Sequence, residues 1–105
     1  MAVRLNLVPQ REIINISCSA RDNVLRKWEF ELYNGSERWT IDADSASLVC
    51  KNGLTIPGDI LDNKVTIEAT TELTSQGGRY DAKLYFEKGS EKLYSAAFII
   101  WVEDL

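Results

Sequence analysis

The sequence contains no histidine, and this absence removes much chemistry at once. Without an imidazole there is no Ser–His–Asp or Cys–His nucleophile system, and the usual general base and metal ligand are gone. Cysteine is scarce. Cys18 and Cys50 stand alone, neither in a Cys-x-x-Cys pair, which is too few for a disulfide framework. Each falls where a small buried hydrophobe fits, so free thiols are expected rather than a bridge. Long apolar runs are missing too. The longest, from Ala96 to Val102, is far short of the roughly 20 residues that span a bilayer. Met1-Ala2-Val3-Arg4 leads straight into alternating residues, not into the apolar core of a secretory signal. No membrane partner is expected. The Asn15-Ile16-Ser17 and Asn34-Gly35-Ser36 triplets therefore carry no glycosylation meaning.

Positive charge is not concentrated anywhere. The chain has 12 basic and 16 acidic residues, a net charge of -4. Its Lys and Arg are dispersed, whereas phosphate binding needs them clustered, so no nucleic-acid partner is expected. Gly77-Gly78 precedes a strand pattern instead of opening a helix, so it is not a phosphate-binding loop. Carboxylates are the remaining chemistry. Asp42 and Asp44 form the tightest pair, but a calcium loop needs roughly six to eight oxygen ligands. Asp42, Asp44, Asp59 and Asp62 read as turn residues that bond their own backbone. No metal, no cofactor and no catalytic activity are expected.

What is present is a period of two along most of the chain. Val3, Leu5 and Leu7 alternate with polar residues, as do Ile14, Ile16 and Cys18. Trp28, Phe30 and Leu32 follow, then the Asn34-Gly35 turn and Trp39-Thr40-Ile41. Asp22 could instead cap a helix carrying Val24, Leu25 and Trp28; the aromatic and β-branched content favours strands. Ala46, Leu48 and Cys50 alternate up to the Asn52-Gly53 turn signal. Leu54 to Leu61 holds Pro57-Gly58 and reads as a turn with a short edge segment. Val65, Ile67 and Ala69 resume the alternation. After the Ser75–Gly78 loop come Tyr80, Ala82, Leu84 and Phe86, and the last strand sets Tyr94, Ala96, Phe98, Ile100 and Val102 on one face. The pattern predicts one all-β domain over residues 1–105, an immunoglobulin-like antiparallel β-sandwich of about seven or eight strands. Trp28 after Cys18, and Tyr80 at the start of the penultimate strand, fit that architecture. Ala82 stands where a second cysteine would be, so an antibody-type disulfide is not expected.

The final strand is apolar on both faces. If Phe98, Ile100 and Val102 face the core, Ala97, Ile99 and Trp101 face outward. A sandwich usually wets that side. Ile99 and Trp101 are therefore candidate partner-interface residues, unless a loop or the N-terminal strand covers them. Tyr33, Tyr85 and Trp39 are candidates to extend the patch or to be ordinary amphipathic surface.

Several segments together resemble a known family. They are Val3-Arg4-Leu5-Asn6-Leu7, Arg21-Asp22-Asn23-Val24-Leu25, Trp28-Glu29-Phe30-Glu31-Leu32 with Asn34-Gly35, Gly78 to Phe86, and Ser95 to Val102. The chain is similar to the phage baseplate upper protein N-terminal domain. That resemblance implies an immunoglobulin-like module, without catalytic residues, that docks a tail or head fibre onto the virion while the distal part binds the host. It implies other virion structural proteins as partners and assembly in the bacterial host cytoplasm. A chain ending at Leu105 would then be the anchoring part of a longer fibre or a small capsid decoration. Exposed strand edges make a homodimer or trimer compatible with this reading. Two others stay open. A carbohydrate-binding module would use Trp39 beside Asp42 and Asp44, and a regulatory protein would use an exposed loop such as 75–78.

Overall fold

The structure, a computed structural model, describes residues 2–9, 11–21, 26–75 and 77–103. Five strands form in the first half: β1 (Ala2–Asn6), β2 (Asn15–Ser19), β3 (Lys27–Asn34), β4 (Glu37–Arg38) and β5 (Ser45–Cys50). Then come β6 (Thr55–Leu61), β7 (Lys64–Glu68), a single helical turn α1 (Thr71–Thr74), β8 (Gly78–Lys88), β9 (Glu91–Tyr94) and β10 (Phe98–Glu103). The protein is all-β, as its periodicity predicts. The alternative helix starting at Asp22 falls on residues outside those described, and Trp28, its last member, lies in β3.

The alternation places the core directly. Trp28, Phe30 and Leu32 of β3 are fully buried, and so are Leu48, Val65, Ile67, Leu84, Phe98 and Ile100. They form one cluster. Burying side chains of this size contributes roughly 1.5–3 kcal/mol each, and this drives the sheet to curl over its own apolar face. Cys18 and Cys50 are both buried within the cluster and are not joined by a disulfide. Burial raises the Cys50 pKa above that of an ordinary thiol. Tyr80 is partly buried against the core.

The strands form one sheet in the order β1-β3-β7-β6-β5-β8-β10-β2, with β4 added to β3 and β9 to β8. The expectation of a purely antiparallel arrangement is corrected here. β1 pairs with β3 in parallel, and β2 pairs with β10 in parallel. Consecutive strands β1 and β2 therefore lie at opposite ends of the sheet, a long-range choice that no local pattern encodes. The two ends meet in the core, where the Phe30 and Phe98 rings lie 5.3 Å apart.

β6 is the second correction. The stretch holding Pro57-Gly58 is not an edge segment but the hinge of the sheet. Residues 55–58 pair with β5, and residues 59–61 pair with β7. Gly58 sits at the changeover, where a Cβ would lie 2.7 Å from Ile67 Cδ1 and 3.0 Å from Val65 Cγ1, so any larger residue would push those side chains aside. Asp62 and Asn63, with φ of 53° and 58°, then make the tight turn into β7. This is the left-handed conformation that Asp and Asn tolerate best among residues with a Cβ. α1 is capped by Thr70, whose Oγ1 accepts from the Leu73 N–H at 3.3 Å.

Candidate functional site

The candidate surface is built on the long hairpin of β8, β9 and β10. β9 and β10 lie end to end on the same side of β8: Tyr94 opposes Tyr85, and Phe98 opposes Ala82. Three residues, Ser95, Ala96 and Ala97, thus fill a gap that Lys83 and Leu84 span on β8. The extra residue makes a bulge. It also overturns the expectation that Tyr94 shares a face with Phe98. A shift of one residue moves every side chain to the other side of the sheet, and Tyr94 points outward at 50% exposure.

Ser95 is what holds the bulge. It is buried, its N–H donates to the Leu84 carbonyl, and its Oγ accepts the Leu84 N–H at 2.9 Å. The same hydroxyl donates to the Ala96 carbonyl at 2.9 Å. Ser95→Ala leaves the buried Leu84 N–H without its acceptor. The expected cost is about 1–3 kcal/mol in denaturant unfolding; an unchanged midpoint would show that the hydroxyl does not close the ladder.

Ala97 of the bulge borders a hollow. An open groove of about 490 Å³ lies over Ala82 and Ala97, with Ile13, Val49 and Tyr94 along its sides. Lys51, Arg79, Asp81 and Lys83 supply its polar rim. Arg79 is committed to Asp81 through two hydrogen bonds of 3.2 and 3.1 Å. Lys51 and Lys83 hold no ion pair among the described residues.

Trp101 adjoins this groove across Arg79, its register neighbour on β8. The Arg79 guanidinium lies 5.8 Å from the ring centre of Trp101, and the indole N–H donates to Asn15 Oδ1 at 2.8 Å. The ring stays 43% exposed, as the face alternation predicts. Ile99 does not. It points to the same face but is only 8% exposed and is not part of the core cluster. Its ladder neighbours are Asp81 and Asn15, and Asn15 is the residue that the Trp101 indole reaches. Ile99 therefore supports the patch from beneath instead of presenting itself.

The other three candidates separate. Tyr85 lies on this face, its ring 4.8 Å from that of Tyr94. Its hydroxyl donates to Glu87, which pushes its pKa up to about 12. Tyr33 is on the opposite half of the sheet, between Arg4 and Arg38, at 5.7 and 5.8 Å. Trp39 is half-buried, packed edge-on to Phe86 at 5.2 Å. Beside it, Asp42 accepts from Lys88 at 2.6 Å, raising the Lys88 pKa, and Asp44 accepts from the Gly89 N–H at 3.1 Å. These carboxylates pin the segment before β5 to the β8–β9 turn. Among the described residues no three His, Cys, Asp or Glu side chains converge to hold a metal.

Sequence reasoning missed Ile13, Tyr94 and Asn15. Ile13 precedes β2 and breaks no pattern. Tyr94 was hidden by the bulge, for which the small run Ser95-Ala96-Ala97 was the available signal.

No protein-family model matches the chain, and no curated protein does. Among solved structures, the chain is similar in fold to the N-terminal domain of ORF48 from phage TP901-1. The likeness covers 97% of this chain and 96% of that one, with a TM-score of 0.72 at 10% sequence identity.

Proposed function

We propose that the chain is a phage virion structural module that anchors a fibre, or decorates a capsid, through protein–protein contacts. The observation that carries this reading is the fold likeness, end to end, to a domain of a phage protein. The resemblance of the chain's own segments to the phage baseplate upper protein N-terminal domain points the same way. The surface chemistry fits a docking role. Trp101, Tyr94 and Ile13 cluster around a groove on one face, and Trp and Tyr are the side chains that anchor interfaces most often. The carbohydrate-binding reading has the weaker footing, because Trp39 is half-buried and packs against Phe86.

Excess domain supplied during phage growth should compete for the docking site. The expected result is a fall in infectious titre, with the added domain recovered in purified particles. An unchanged titre together with particles free of the domain would contradict the docking role.

A further inference from the structure

The groove beside the bulge differs in charge from the rest of the molecule. The chain is net acidic, yet this hollow is rimmed by Lys51, Arg79 and Lys83 against the single carboxylate of Asp81. Arg79 and Asp81 satisfy each other. Two lysines are left facing an apolar hollow without a counter-charge among the described residues. A cation beside apolar surface, unpaired within its own chain, is what an acidic partner would complete.

The backbone adds a direction. Ser95 N–H bonds to Leu84, and an antiparallel ladder alternates inward and outward groups. Lys92 and Tyr94 therefore turn their N–H and C=O groups away from β8. β2 covers the outer edge of the hairpin only from Ile99 to Glu103. Among the described residues no strand pairs with the outer edge of β9, so an extended segment can approach the groove from that side.

We infer that this groove receives an extended acidic segment of a partner protein. Its apolar side chains enter the hollow between Ile13, Val49 and Tyr94, and its carboxylates meet Lys51 and Lys83. The inference rests on the docking role proposed above and names the partner chemistry of that surface.

The test is an amide NMR titration of the full chain with an amidated octapeptide alternating glutamate and leucine. Its twin with lysine for glutamate and the oligonucleotide dT8 serve as comparisons. The expected result is saturable shifts at Val49, Lys83, Tyr94 and Ala97 with the glutamate peptide alone. In the Lys51→Glu/Lys83→Glu double variant the affinity should fall at least about tenfold, the scale of losing charge-assisted contacts. Both lysines are exposed, so the variant keeps its fold, which its own spectrum verifies. Equal binding of the lysine peptide, shifts confined to other residues, no shifts at millimolar peptide, or a response to dT8 alone would each overturn the inference. The two proposals fail separately. A domain that competes in phage growth but ignores the peptide loses the groove assignment. A domain that binds the peptide but never enters particles loses the virion role.

Discussion

Trp101→Ala is expected to weaken the domain's competition for its proposed virion site by roughly 30-fold or more, while lowering its thermal midpoint by less than about 8 °C. The indole is 43% exposed and contributes nothing to the core cluster. Its bonds in the free chain are peripheral: one hydrogen bond to Asn15 and a stacked Arg79, both near the surface. Losing them should cost the fold no more than about 0.5–1 kcal/mol. Interface tryptophans behave differently, since truncating a hot spot costs about 2 kcal/mol or more, equivalent to that fold-change. Tyr33→Ala supplies the control. Tyr33 lies on the other half of the sheet, so this variant should compete like the parent. A Trp101→Ala domain that competes undiminished, or that melts as a core mutant would, removes the patch from the account.

Phe30→Ala should have the largest effect on the fold, a loss of about 3–5 kcal/mol. Phe30 is fully buried, and its ring meets that of Phe98 from the other end of the sheet. The substitution therefore opens a cavity where the two ends close on each other. For a domain of this size, such a loss lowers the midpoint by at least about 12 °C. Phe30 is a cleaner probe than Trp28. The Trp28 indole N–H is buried, so removing that ring removes a polar group along with the apolar one. A Phe30→Ala domain within about 1 kcal/mol of the parent would mean that the ends of the sheet do not depend on this contact.

The strands that could be read in the sequence are those where a buried face alternates with a wet one. Val3 and Leu5, Trp28 to Leu32, Ala46 to Cys50 and Ala82 to Phe86 all sit as their spacing indicates. β6 resisted because Pro57-Gly58 resembles a turn, whereas the glycine lies inside a strand, close beneath the Ile67 and Val65 side chains. The parallel pairs resisted because register between distant strands leaves no local mark. The candidate surface was half legible. Trp101 follows from parity with its buried neighbours. Tyr94 does not, because one extra residue at Ser95-Ala96-Ala97 inverts the parity. Ile99 follows the parity yet is only 8% exposed between its ladder neighbours Asn15 and Asp81, because cover is set by tertiary neighbours that parity does not encode.

The proposed place of this chain in a phage particle can be checked by mass spectrometry of density-purified virions from a culture expressing the gene. Peptides of this chain are expected in the particles, in a fixed ratio to the tail or capsid proteins and retained after a high-salt wash. Peptides found only in the soluble lysate, with none in the particles, would contradict it.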